Sequence, residues 1–261
     1  TELLKERFEK NNVDISLIQD KVVLDAGCGG GRYSIALSRL GAKKVIGVDM
    51  GTKGIAFANS KAAELGLKDK VEFKEGNVLE LPFEDNTFDF VFSNGVIHHT
   101  INPEKGLSEL SRVVKKEGYV WVFVQATDSG YQEMITNTCR DILRTVPKNI
   151  TQELMILNGI PHNRVFYMMD HLYVPIQDWQ ETQQFEDLMR KYNLTEFRRL
   201  MRGVKFDGIE KISLGEPFAK EKYGNSELRY LAKKVVEATS NNPDVEKPVE
   251  SPSETGEVPS Y

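Results

Sequence analysis

The chain carries 261 residues, 40% of them hydrophobic, which is enough for a sizeable buried core. Its net charge of −5 argues against a nucleic-acid partner, which needs a basic face, and no apolar run forms a signal peptide or reaches across a bilayer. Two cysteines, Cys28 and Cys139, exclude a disulfide framework and a four-thiolate metal site and point to a reduced, cytoplasmic setting; no motif calls for a metal.

Taken in order, residues from Glu2 to Leu17 read as helical. Val22 to Leu24 are short, continuous and apolar, as in a buried parallel strand. A run of glycines follows, Gly27, Gly29, Gly30 and Gly31, where the backbone can take positive φ and a ligand can approach closely. A helical pattern then runs to Leu40, with Ile35, Ala36 and Leu40 on one face and Gly41 as its stop. Strand, glycine turn and helix together offer free N–H groups and a partial positive charge to an anionic group. A dinucleotide fingerprint wants a third glycine where Arg32 stands, so that pattern fails.

Lys44 to Val48 form the next strand, which ends in Asp49 about twenty residues past the loop, the distance of a ribose-binding acid. A carboxylate accepts from two vicinal hydroxyls better than a neutral side chain does. Met50 follows, placed to pack on a base or in the core. Thr52 to Leu65 read as an amphipathic helix and Lys70 to Lys74 as a third strand, with Asn77 and Val78 just beyond it. Phe88 to Ser93 make a fourth strand, then Asn94, Gly95, His98 and His99. In an open α/β sheet the carboxyl ends of the strands face the ligand crevice.

The order Leu24-Asp25-Ala26-Gly27-Cys28-Gly29-Gly30-Gly31 resembles motif I of the class I S-adenosylmethionine (AdoMet) methyltransferases, in the group that methylates small molecules. The likeness continues through Glu75-Gly76-Asn77 and Phe88-Asp89-Phe90-Val91 to the histidine pair and ends near Val124. It implies an α/β, Rossmann-like three-layer sandwich. The expected sheet has seven mostly parallel strands in the order 3-2-1-4-5-7-6, with strand seven antiparallel. It implies AdoMet as cofactor, held by Asp25, Gly27, Cys28, Gly29, Gly31, Asp49, Met50, Asn77, Val78, Ser93 and Asn94. At the adenine position the family commonly has an acid; here Asn77 stands instead, and an amide can still read adenine. His98 and His99 are candidate bases, since an imidazole near the methyl group can take a proton from an acceptor. Equally, either histidine can order the loop that follows. Asn94-Gly95-Val96 lacks the paired prolines of DNA amino-methyltransferases, and two cysteines exclude a radical-AdoMet cluster.

Pro103 to Lys115 read as a helix, Lys116-Glu117-Gly118 as a turn, and Tyr119 to Val124 as the fifth strand. Two helices are expected over Asp128 to Val146 and Ile150 to Asn158, then an irregular aromatic stretch from His162 to Tyr173. Residues 126–176 together form a cap over the site, as the family commonly inserts after strand five. Gln177 to Tyr192 read as a helix and Leu194 to Met201 as a strand, with Lys211 to Leu214 and Leu228 to Ala232 competing for the last one. Arg198, Arg199, Arg202 and Lys205 read as a solvated charged face. The methyltransferase domain thus spans 1–237, and residues 238–261 form a disordered, acidic tail rich in Pro and Ser. The expected partner is a small-molecule acceptor, with neither nucleic acid nor membrane involved. Competing are a methyltransferase acting on RNA or protein, a non-catalytic AdoMet-binding regulator, and a nicotinamide-dependent reductase.

Overall fold

The computed structural model describes residues 1–235, apart from the side chains of residues 163 and 166; the acidic tail lies outside the described residues. Seven strands form one sheet: β1 (Val22–Ala26), β2 (Lys44–Asp49), β3 (Val71–Glu75), β4 (Phe88–Asn94), β5 (Val114–Gln125), β6 (Leu194–Arg199) and β7 (Glu227–Lys234). Their order is β3-β2-β1-β4-β5-β7-β6. The first five strands pair in parallel, and β7 runs antiparallel to both of its neighbours.

Alternation along the strands feeds two cores. Val23 and Phe92 face one side, where α1 (Glu2–Lys10), α2 (Arg32–Arg39) and α3 (Thr52–Glu64) contribute Leu4, Phe8, Leu37 and Ala58. Leu24 and Val91 face the other, against Leu107 and Leu110 of α4 (Pro103–Val113). Phe185 and Met189 of α8 (Thr182–Lys191) complete that layer. Central strands buried on both faces are what a parallel sheet between helical layers requires. Trp121 knits the first layer together, with its ring 5.3 Å from Phe8 and 5.6 Å from Phe92, both stacked.

Three elements differ from the sequence expectation near the fifth strand. Helix α4 ends at Val113, and β5 already pairs Val114 with Phe88 before resuming at Tyr119 opposite Phe90. The expected turn is therefore a wide bulge inside one strand, with Glu117 at φ 62°. Residues 126–176, expected to cap the site, carry three helices: α5 (Gly130–Leu143), α6 (Lys148–Leu157) and α7 (His162–Tyr173). Residues 162–173, expected to be irregular, form α7, which docks through Val165 and Met169, four residues apart on one face. Conversely, residues 177–181, expected to start a helix, run extended. Gln180 donates its N–H to the Gln125 carbonyl at 2.9 Å and returns the chain to the sheet beside Ala126.

The link from β6 to β7 carries α9 (Gly208–Ser213) and α10 (Ala219–Tyr223). Of the two segments competing for the last strand, Leu228 to Ala232 is in β7 and Lys211 to Ser213 is in α9. The arginines read as a solvated face are instead ties between segments. Arg198 donates to the Asn11 carbonyl at 2.7 Å, Arg199 to the Asn225 carbonyl at 2.6 Å, and Arg202 pairs with Glu210 at 2.8 Å.

Candidate active site

The parallel strands β1, β2, β3 and β4 end on the same side of the sheet, beside the glycine loop, where an open α/β sheet carries its ligand crevice. Gly27 and Cys28 donate to the Val48 carbonyl at 2.8 and 3.0 Å, which fastens the loop to the end of β2. Asp49 fastens it again: Oδ2 accepts from Gly29 N and Oδ1 from Gly51 N, each at 2.8 Å. Each carboxylate oxygen keeps a further lone pair for a ligand. Two glycines in this loop serve different ends. A Cβ on Gly27, at φ 83°, would lie 2.3 Å from the Val96 methyl groups, so that position must stay bare for the chain to close. A Cβ on Gly29, at φ 52°, would meet nothing within 4 Å, so Gly29 keeps open the space over the loop, beside the Asp49 carboxylate.

Two expected cofactor contacts turn away from the crevice. The Asp25 carboxyl is buried and accepts from Ser34 Oγ at 2.6 Å; burial pushes it up to about 7. It braces the start of α2. The Cys28 thiol packs inward against Gly47, and burial raises its pKa, which leaves only its backbone to a ligand. Met50 is 70% exposed at the crevice. Asn77 Oδ1 accepts from Leu79 N at 2.9 Å, which makes a local turn, and Val78 beside it is buried.

At the end of β4, Ser93 is fully buried and its Oγ has no hydrogen-bond partner among the described residues, while Asn94 Oδ1 accepts from Trp121 Nε1 at 3.3 Å. The chain then turns through a short 3-10 helix that carries both histidines. His98 is 1% exposed, lies with its ring 4.0 Å from that of His99 and 5.9 Å from Phe123, and among the described residues leaves Nδ1 unpartnered. His99 Nδ1 donates to the Ile176 carbonyl at 3.0 Å, which ties this turn to the strap leading back from the cap. Burial holds the pKa of His98 well below the usual imidazole value, with His99 and His171 adding to the effect. Burial also lowers His99 and His171. All three are therefore neutral at pH 7, and an unpartnered neutral ring can accept a proton.

The sequence reading missed one cluster. Arg7 pairs with Asp207 at 2.7 Å, and Arg229 bridges Asp207 and Glu227, with all four side chains buried. Arg7 also donates to the Tyr33 hydroxyl at 3.1 Å, and the Arg229 guanidinium lies 5.0 Å from the Phe123 ring centre. These residues come from α1, the β6–β7 link and β7, and only the alternation of Glu227 and Arg229 along one strand face hinted that two of them meet.

Residues 18–190 match the family model described as a methyltransferase domain. Over 128 residues, 46% of its length, the chain is 35% identical to a mitochondrial ubiquinone biosynthesis O-methyltransferase of Dictyostelium discoideum. It is 36% identical over 105 residues, 40% of its length, to a tRNA U34 carboxymethyltransferase of Campylobacter hominis. The matched part spans less than half of each relative, 40% and 36% respectively. Among solved structures, the YcgJ protein of Bacillus subtilis superposes with a TM-score of 0.58 at 17% identity, covering 87% of this chain and 99% of that one.

Proposed function

The chain belongs to the methyltransferase-domain family, and on that premise we propose that it is an AdoMet-dependent enzyme that methylates an O or N atom of a small molecule. The observation that carries this is the pairing of open ground over Gly29 with the Asp49 carboxylate, 2.8 Å from the Gly29 amide. A bare loop lets a ligand lie against the backbone, and the carboxylate beside it suits a ribose diol. Asn77 and Val78 stand at the adenine position, with the Asn77 amide N–H groups as donors. Ser93 and Asn94 face the reacting end, where the orphaned Ser93 Oγ offers a hydrogen bond.

When bound, AdoMet supplies a methyl group already activated on a sulfonium. The protein's own work is alignment and exclusion of water. The buried end of β4 and the strap over His99 supply a dry floor. His98 is the candidate base for a hydroxyl acceptor because of where it stands, at the end of β4; burial disfavours its protonated form and so weakens it as a base, and a free amine needs none. A small-molecule acceptor is supported by the relative named for ubiquinone biosynthesis and by the acidic net charge. The relative named for tRNA favours the second reading, a macromolecular acceptor.

Titration with S-adenosylhomocysteine and with NADH tests the proposal. Micromolar binding of the first alone is the expected result, and binding of NADH alone would replace the methyltransferase with a reductase. Filter binding of tRNA at low salt separates the two acceptor classes; tight, salt-sensitive retention would favour the macromolecule.

A further inference from the structure

Beyond the crevice lies a cavity of about 310 Å³. Its walls come from the ends of strands β5 and β7 (Gln125 and Glu227), from the 126–176 segment (Arg164 and Tyr167), and from the β6–β7 link (Phe206 and Lys222). Gln125 lies two residues past Phe123 on β5, and Phe123 pairs with Asn94 at the end of β4. The cavity thus lies at the carboxyl end of β5, the same end of the sheet as Asn94.

Its charges do not balance. The Glu227 carboxylate is taken up by Arg229, and Asp207 behind it by Arg7. Arg164 and Lys222 stand exposed at the mouth, and among the described residues neither makes an ion pair. Each lies instead on an aromatic ring, Arg164 5.3 Å from the centre of Phe206 and Lys222 5.2 Å from that of Tyr223. Those stacks hold both cations in position and leave their N–H groups for a ligand. Inside, Gln125 is 4% exposed and forms part of the wall. Behind the Glu227 wall, Arg7, Arg229, Asp207 and Glu227 balance one another, which leaves Arg164 and Lys222 as the uncompensated charges of the cavity. The volume sits at the lower limit for ligand pockets and suits one ring with its substituents.

We propose that this cavity is the acceptor pocket and that it selects a small, flat acceptor bearing an oxyanion, carboxylate or phosphate. Arg164 and Lys222 hold the anion at the mouth, Tyr167 and Phe206 flank the ring, and Gln125 contacts the end to be methylated. The acceptor role rests on the methyltransferase reading above, whereas the anion preference stands on the cavity alone.

The test titrates benzoate, phenyl phosphate, benzamide and benzylamine into the full chain, with and without S-adenosylhomocysteine. Benzoate or phenyl phosphate should bind at least tenfold tighter than neutral benzamide, and whichever of the two binds tighter identifies the anion. The double variant R164Q/K222Q should lose that preference while its affinity for S-adenosylhomocysteine stays unchanged. Equal binding of benzamide, preference for benzylamine, no binding of either anion, or a preference that survives in the double variant would each overturn the proposal. Anion preference without any binding of S-adenosylhomocysteine would break the methyltransferase reading and leave the anion pocket standing.

Discussion

Helices α4 and α5 are successive helices of one chain and obey different rules. Helix α4 has 11 residues and buries six of them, among them Leu107, Leu110 and Val113. Helix α5 has 14 residues and buries none, leaving Tyr131, Met134, Ile135 and Ile142 in the open. The first lies on a sheet whose side-chain pattern is fixed by the strands beneath it. The second is packed over a cavity and a neighbouring helix, so its apolar residues are not committed to a core. Stability resides in the sheet half, and the cap contributes shape.

The difference is breakable by substitution, and the largest effect is expected at Trp121. Trp121→Ala should cost about 3–5 kcal/mol in chemical denaturation, because it empties the stack between Phe8 and Phe92. A loss of similar size at any exposed apolar residue of the cap would erase the distinction. Next comes the glycine loop. Gly27→Ala adds overlap with Val96 to a left-handed backbone that alone costs about 1–3 kcal/mol. Gly29→Ala meets only the backbone term and should fold, with its deficit confined to cofactor affinity.

A third effect is a slope. The buried Asp25 carboxyl, raised to about 7 from an ordinary 3.8, holds a proton that the unfolded chain has lost. Its contribution to stability is complete below pH 3.8 and declines as pH rises through about 7, by roughly 1.4 kcal/mol per pH unit at most. Asp25→Asn should flatten that stretch of the stability profile from melts at pH 5 to 8; an unchanged slope would show that Asp25 is not the group responsible. The smallest effect belongs to the cap. Leu157, 80% exposed, should tolerate Ser within about 0.5 kcal/mol.

The same contrast governs how much could be read from residues alone. The glycine loop, Asp49 and the alternating strands are local statements, in which a few adjacent residues decide the backbone. The sheet order followed from the resemblance that those residues carry. The cap resisted because its helices answer to distant partners. Aromatic and polar residues mask the Val165–Met169 face of α7, and Pro175 and the bridge to Ala126 hold residues 177–181 extended against their helical composition. Arg7, Asp207 and Arg229 meet across some two hundred residues of chain, a contact that no spacing rule encodes. Asp25 and Cys28 lie in the right motif, but strand parity and loop path turn their side chains inward.

The central claim is that the crevice between the glycine loop and the end of β2 holds the cofactor through Asp49. Isothermal titration of S-adenosylhomocysteine into wild type and Asp49→Ala tests it most directly. The expected loss is about 1.5–3 kcal/mol, roughly ten- to 150-fold in affinity, with the fold intact by circular dichroism. Equal affinity in the two proteins would contradict it and move the cofactor away from Asp49.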